Sequence, residues 1–384
     1  MARLGDIGKI VTGNTPKTSE SQNYTSNDIC FVKPSDIADG IVTCLNDSEF
    51  YISEYARAKA RILPPKSVLV TCIGIIGKVA INDVECAFNQ QINAIIPDNS
   101  KCLTEYLAYA IQNKQPEMQD VANAPVVPIL NKTQFSDIGI NLPSLTEQEE
   151  IVGKLNAVSR LIALRKAQLA KLDQLVKSRF VELFGTTGKQ VSLTDYVWFQ
   201  EGPGVRSVDF TDDGTILLTG SNINDNIISF GHKSDRHISN ELASGKYAHF
   251  MCDKDDILVV SSAIDPDKFD KKVVVVDVDK KYCLNTGIIR FKPNKQYLTL
   301  RYFREFLKTD YFKHQVSSEM RGIAQMHFGP SHLKQMTILL PDSIESQIEF
   351  EKFVQQTDKS KLAIQQSLDK LELLKKSLMQ EYFG

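Results

Sequence analysis

Ten side chains in polar, loop-like stretches carry the groups that can read or hold a nucleic acid. Lys17 follows Gly13-Asn14-Thr15-Pro16, and Arg57, Lys59 and Arg61 alternate with alanines after Tyr55. Arg206, Lys233, Arg236, His237, Arg321 and Gln325 occupy comparable stretches later in the chain. A guanidinium or a carboxamide can make two parallel hydrogen bonds to a guanine or adenine edge, and an ammonium can hold a phosphate. Each of these residues taken singly reads as a solvated charge. Together they form a candidate DNA-contacting set.

Signs of covalent chemistry are weaker. Gly74-Ile75-Ile76-Gly77-Lys78 has two residues between its glycines and Val79 after the lysine. A phosphate loop needs four, then Ser or Thr, so a hairpin is the expectation. The one Gly-x-Gly lies in Phe199-Gln200-Glu201-Gly202-Pro203-Gly204. Pro203, and the lack of a third glycine opening a helix, favour a turn over a cradle for S-adenosylmethionine or a nucleotide. All six histidines (His232, His237, His249, His314, His327, His332) fall in the second half, with no metal-ligand spacing. No nucleophile, base and orienting group can be named as a set. The chain is expected to be no enzyme, and to need no metal and no cofactor.

Composition bounds the rest. The 384 residues suffice for two ordinary domains. No apolar run of about 18 residues suggests a membrane span, and the opening MARLGDIGKI lacks the apolar core of a secretory leader. Seven scattered cysteines, with no Cys-x-x-Cys, argue against disulfides or structural zinc and for a reducing cytoplasm. Residues 1–145 carry 12 basic and 15 acidic groups, and residues 186–342 carry 20 of each. No domain is globally basic. If DNA is the ligand, positive charge sits on one face or partner subunits supply phosphate contacts.

The strongest signal is internal duplication. Leu4, Asp6 and Gly13 align with Leu193, Asp195 and Gly202 at a spacing of 189 residues, as does Val68-Leu69-Val70 with Ile257-Leu258-Val259. Asn89 to Pro97 aligns with Asn285 to Pro293 at 196, and Tyr106 then falls on Tyr302. Leu142-Pro143 matches Leu340-Pro341 at 198, and Lys171 to Ser178 matches Lys370 to Ser377 at 199, as Phe184-Gly185 matches Phe383-Gly384. The spacing only grows along the chain, as two copies of one module show after loop insertions in the second.

Each copy has a mixed part and a helical part. Strands are expected at Ser67–Ile73, Asp256–Val260, Val273–Val278 and Gly287–Phe291, and short helices at Leu103–Gln112 and Leu300–Phe312. A capping box at Thr146-Glu147-Gln148-Glu149 opens the first long helix, and Gly185 stops it. Asp342-Ser343-Ile344-Glu345 opens the second. Ile151, Leu155, Val158, Ile162, Leu169, Leu172, Val176 and Phe180 form one apolar stripe; Ile364, Leu368, Leu371, Leu374 and Leu378 form the other. Such narrow stripes seek a partner helix. Residues 146–184 would make a rod of about 58 Å, longer than one domain needs, so the two rods are expected to pair antiparallel rather than fold back singly. The expected architecture is α+β: two similar mixed domains (1–145 and 186–342) and two long helices (146–185 and 343–384) forming an antiparallel coiled coil with internal pseudo-two-fold symmetry.

The chain resembles the specificity subunits of type I restriction–modification systems along essentially its whole length. The resemblance is carried by Leu4-Gly5-Asp6-Ile7 with Gly13-Asn14-Thr15-Pro16, and by Asn89-Gln90-Gln91-Ile92. It continues in Leu142-Pro143-Ser144-Leu145-Thr146-Glu147-Gln148-Glu149-Glu150-Ile151 and in Phe180-Val181-Glu182-Leu183-Phe184-Gly185. The second half repeats it as Gly322-Ile323-Ala324-Gln325 and as Leu340-Pro341 leading into Gln347, with one extra residue before the helix. The resemblance implies two target-recognition domains that each read half of a split double-stranded DNA site, with the helices as spacer. It also implies binding to two methyltransferase subunits and, in the full complex, to nuclease–translocase subunits, with no membrane partner. A protein-binding coiled-coil scaffold and a self-sufficient S-adenosylmethionine-dependent methyltransferase using Gly202–Gly204 are the competing readings.

Overall fold

A computed structural model describes residues 1–122, 128–185, 188–231, 233–262, 264–318 and 327–384. It comprises two compact units, Met1–Ala167 with Ile364–Gly384, and Gln168–Ala363. In the first unit, the strands Gly8–Thr12, Ile92–Pro97, Val68–Thr71, Val79–Asn82 and Val42–Leu45 form one sheet in that order. A second sheet runs Tyr51–Ile52, Ile29–Val32, Cys86–Phe88, Ile62–Leu63. The other unit repeats this plan. One sheet is Val197–Glu201, Ile288–Pro293, Ile257–Val260, Val273–Val275, and the other is Phe210–Thr211, Arg236–Ile238, Thr215–Leu218, Tyr282–Leu284. The strands Val68–Thr71 and Ile257–Val260 are buried at every residue, which explains why both read as unbroken rather than alternating patterns.

The duplication extends to single hydrogen bonds. Gly13 N–H donates to the Ile92 carbonyl at 3.0 Å, and Gly202 N–H to that of Ile288 at 3.0 Å. A β-carbon would lie 2.0 Å from the Asn89 oxygen in one copy and 2.1 Å from the Asn285 oxygen in the other, so both sites demand glycine. Lys78 donates to the carbonyls of Pro34 (3.1 Å) and Ile37 (2.8 Å). Lys272 likewise reaches Gly220 (3.3 Å) and Ile223 (2.8 Å). Gly74 and Gly77 have φ of 78° and 85° between the antiparallel strands Val68–Thr71 and Val79–Asn82. The Gly-Ile-Ile-Gly-Lys segment is thus the expected hairpin, and its lysine is anchored on backbone.

The long helices span Leu145–Phe184 and Ile344–Phe383, 40 residues each, or about 60 Å. The first is capped two residues earlier than expected. Ser144 Oγ accepts from Glu147 N–H at 3.4 Å while the Glu147 carboxylate accepts from Ser144 N–H at 2.9 Å. Ser343 Oγ accepts from Ser346 N–H at 3.3 Å in the second copy. The extra residue there is therefore Asp342, ahead of the cap, and the helices keep one register. Gly185 and Gly384 close them through N–H donation to Val181 (2.7 Å) and Gln380 (3.0 Å). The expected helix Leu300–Phe312 is two, Leu300–Phe306 and Asp310–Ser318. Thr309 Oγ1 donates to the Phe306 carbonyl (2.6 Å) and accepts from Phe312 N–H (3.3 Å), ending one and starting the other.

Segments of the two long helices run antiparallel within each unit. In the first, Lys154 donates to the Tyr382 hydroxyl at 3.3 Å and Lys166 pairs with Glu372 at 2.9 Å. In the second, Lys361 pairs with Asp173 at 2.5 Å and Arg179 with Glu349 at 3.5 Å. Leu155, Val158, Val176 and Leu368 are buried, and Ile151, Ile162, Leu169, Leu172, Ile364, Leu371 and Leu378 are half-buried. Leu374 corrects the expected stripe: it is 46% exposed. After the three-residue step from Leu368 to Leu371 the alternation needs four, so Lys375 turns inward, with Nζ 5.8 Å from the Tyr109 ring. Each helix also packs on its own domain, where Tyr109 Oη donates to Asn156 Oδ1 at 2.7 Å and Leu155 joins the core around Tyr106.

Two fully buried glutamines fix the helix starts. Gln148 Oε1 accepts from Leu103 N–H (2.8 Å), and its Nε2 donates to the carbonyls of Lys101 (3.0 Å) and Pro143 (2.9 Å). Gln347 takes Thr299 N–H (2.9 Å) and donates to the Tyr297 carbonyl (2.9 Å). Aromatic rings fix the helix ends. Phe383 packs on Tyr106 with ring centroids 5.2 Å apart, and Phe184 on Tyr302 at 4.9 Å. Gln148→Ala would remove three hydrogen bonds made by a fully buried amide to partly buried backbone groups, so a loss of about 3 kcal/mol in urea-unfolding stability is expected. A loss under about 0.5 kcal/mol would show that the lock is not tight.

Candidate nucleic-acid interface

In the first unit the expected residues converge on one loop cluster. Asn14 Nδ2 donates to the Lys59 carbonyl (2.7 Å), and its Oδ1 accepts from Arg61 N–H (2.8 Å). The loop after Gly13 is thereby tied to the 3-10 helix Glu54–Lys59. Ser53 N–H donates to the Asn23 carbonyl and Asn23 Nδ2 to the Lys17 carbonyl, drawing Lys17 into the same cluster.

The charges there are unequally available. Arg57 is engaged by Glu54 (2.5 Å) and Glu85 (2.6 Å), and Lys59 by Glu20 (2.6 Å), with its ammonium 4.0 Å from the Tyr55 ring. The hydrogen bond and charge of Glu20 hold Lys59 above its ordinary ammonium range. Arg61 donates to the Thr12 carbonyl. Lys17 is exposed and makes no side-chain hydrogen bond or close ion pair among the described residues, though with the Lys59 hydrogen bond its charge helps to hold Glu20 below the usual carboxylate range. Exposed ion pairs are worth about 0–1 kcal/mol and yield easily to a phosphate, but the carboxylates cancel the local field.

In the second unit Arg236 and His237 lie beside the strand Phe210–Thr211. The strand Phe210–Thr211 pairs with Arg236–Ile238, setting Thr211 opposite His237. The Arg236 guanidinium lies 6.0 Å from the Phe210 ring and donates to the carbonyls of Lys233 (3.1 Å) and Asp235 (2.9 Å). Arg206 and Lys233 are exposed, with no side-chain hydrogen bond or close ion pair among the described residues, though the charge of Arg206 reaches Asp209. Arg321 and Gln325, and with them the Gly322–Gln325 motif, lie outside the described residues, as does His232.

Aligning the copies at 189 residues sets Arg57 opposite Lys246, which Asp209 engages, and leaves one pair without an ion pair. Lys17 stands four residues after Gly13 and Arg206 four after Gly202, at the same 189-residue spacing. Each is an exposed cation with no side-chain hydrogen bond or close ion pair among the described residues, its charge felt by one carboxylate (Glu20 and Asp209), on a loop whose start is pinned by a glycine against the neighbouring backbone. Sequence reasoning missed Lys33, whose ammonium sits 3.0 Å from the Phe50 ring centre, and the exposed rings of Phe50 and Tyr55. Aromatics interleaved with basic residues between 50 and 61 were the available signal.

Among the described residues no three His, Cys, Asp or Glu side chains group as metal ligands. Burial pushes the thiols of Cys72 and Cys86 up to about 11 and about 12, where they are poor nucleophiles. Gly202 and Pro203 form a turn packed on the Asn285–Thr286 backbone. Among the described residues, no helix is long and apolar enough to cross a membrane.

Comparison with known proteins agrees with this geometry. The family model described as type I restriction modification DNA specificity domain matches twice, over residues 1–174 and 189–374. The chain belongs to that family. It is 29% identical over 186 residues to the type I restriction enzyme MjaIX specificity subunit of Methanocaldococcus jannaschii, covering 47% of this chain and 43% of that protein. It is 32% identical over 147 residues to the HindI specificity subunit of Haemophilus influenzae, covering 38% and 32%. The chain thus spans less than half the length of either relative in these alignments. The S subunit of a type I system from M. genitalium shares the fold with a TM-score of 0.54 at 13% identity, covering 100% of this chain and 95% of that one.

The availability of each cation predicts its contribution. Arg206→Ala is expected to weaken DNA binding and to lower the slope of log affinity against log salt by about 1. Arg57→Ala should leave both nearly unchanged. Fluorescence anisotropy on a labelled duplex across a salt series checks this, and equal effects of the two substitutions would contradict it.

Proposed function

We propose that this chain is the non-catalytic specificity subunit of a cytoplasmic type I restriction–modification complex and reads a bipartite, asymmetric DNA site. Residues 1–145 and 186–342 are the two reading domains, one per half-site, and the helices 146–185 and 343–384 are the spacer. One observation carries the reading: a single scaffold is built twice, to the same hydrogen bonds, while the loops that carry candidate contacts differ. At the 189-residue spacing Lys17 is answered by Arg206 and Arg57 by Lys246, whereas Lys59 and Arg61 fall on Ala248 and Phe250. Like scaffolds with unlike loops suit half-sites of unlike sequence.

Half-sites read from one side of a duplex lie about 34 Å apart or a multiple of it, a separation that rods of about 60 Å can span. The chain's acidic balance, a net charge of -2, favours shared phosphate contacts. Two methyltransferase subunits would supply them, joined in the full complex by nuclease–translocase subunits. Chemistry on the base belongs to those partners.

The chain with its methyltransferase partner should protect two short tracts separated by a fixed unprotected gap. Uniform protection independent of sequence would contradict the proposal. Removing seven residues, two turns, from the middle of both helices is expected to change the gap and leave the bases read unchanged. Changed bases at an unchanged gap would defeat the spacer role.

A further inference from the structure

The second unit holds a charged basin where the equivalent helix of the first has few charges. A cavity of about 380 Å³ lies among the helix Leu300–Phe306 with the turn after it, and residues 173–177 and 354–361 of the long helices. Its cations are Lys177, Lys271, Arg301, Arg304, Lys308 and Lys361, against Asp173, Asp225, Asp270, Glu305 and Asp358.

The pairing leaves one cation over. Lys361 takes Asp173 (2.5 Å), Lys271 takes Asp225 (3.0 Å), Arg301 takes Asp358 (2.9 Å), and Lys177 takes Asp270. Lys308 occupies both oxygens of Glu305, at 3.2 and 3.3 Å. Arg304 is left with Glu305 at 3.8 Å, too long for a hydrogen bond. Its side chain is only 18% exposed, and its Nε is buried without a partner. A guanidinium presents five N–H donors in a rigid fork, and burying it unsatisfied is costly.

The fold does not require this arrangement. At the 196-residue spacing that sets Tyr106 on Tyr302, Arg304 corresponds to Ala108, Glu305 to Tyr109 and Lys308 to Gln112. The first unit fills that place with Ala108 and with Tyr109, which is hydrogen-bonded to Asn156 and has the Lys375 ammonium 5.8 Å from its ring. The cluster is thus specific to one copy. It also has the ingredients of an anion site: a guanidinium whose Nε is buried without a partner, a second ammonium beside it, and a cavity wider than a phosphate.

We propose that this basin binds a phosphoryl group on Arg304, with Lys308 assisting, and so ties the second reading domain to both long helices. Two sources share that chemistry, a free phosphorylated small molecule and the phosphate backbone of DNA.

Calorimetric titration of the full chain with inorganic phosphate and with AMP tests the site. Saturable binding at one equivalent is expected, weakened at least about tenfold in Arg304→Leu. Arg304→Leu should remain folded and melt no lower than the parent, because it removes an unsatisfied buried cation. Phosphate should raise the melting temperature of the parent and not of the variant. Repeating the titration with duplex DNA present separates the sources: displacement of phosphate points to the backbone, and undiminished binding points to a free ligand. Absence of saturable binding, or equal binding by a folded Arg304→Leu chain, would overturn the proposal.

Discussion

A long helix with a narrow apolar stripe cannot be stable alone in water, and the architecture follows from that constraint. The stripe from Ile151 to Phe180 is too long for one small domain to cover and too narrow for a helix buried all round. A helix with a matching stripe, running antiparallel, covers it. In each unit the start of one long helix is fixed by a buried glutamine, and the end of the other by a phenylalanine on a domain tyrosine. Every helix terminus is thereby held against a folded domain, where its orphan backbone groups and aromatic end group are satisfied.

Duplication makes this possible within one polypeptide, because each copy supplies what the other needs. It also separates what scaffold demands from what function is free to vary. Gly13 and Gly202, Lys78 and Lys272, Gln148 and Gln347, and Tyr106 and Tyr302 repeat because backbone, sheet and helix junction leave them no alternative. Lys17 and Arg206 differ because nothing in the packing of the fold fixes an exposed loop cation, whereas Ala108 is fully buried where the second copy holds Arg304. Differences between the copies therefore point to recognition more directly than either copy does alone.

Much of this was legible in the residues. The spacings that grow from 189 to 199 anticipated the repeated sheets, and the three-and-four stripe anticipated the helix pair. Three things were not legible, each for a physical reason. The cap at Ser144 was misplaced because Thr146 offers the same chemistry two residues on, and only backbone geometry chooses between them. Leu374 looked like a stripe residue because a three-residue step is locally as good as four; the partner surface at Tyr109 decides for Lys375. The neutralisation of Arg57 and Lys59 was hidden because Glu85 and Glu20 lie 28 and 39 residues away and meet them only through the fold. Arg304 was overlooked for the same reason, since its lack of a partner appears only once its neighbours are placed.

The antiparallel helix pair is tested most directly by distances between spin labels. Labels at Lys166→Cys with Glu372→Cys, and separately at Asp173→Cys with Lys361→Cys, would be measured in a chain whose accessible Cys30 and Cys44 are replaced by serine. Both pairs should give a narrow, short separation, as facing positions on helices with axes about 8–10 Å apart require. A broad or long distribution at either pair would contradict helix pairing, and with it the spacer on which the two-headed reading rests.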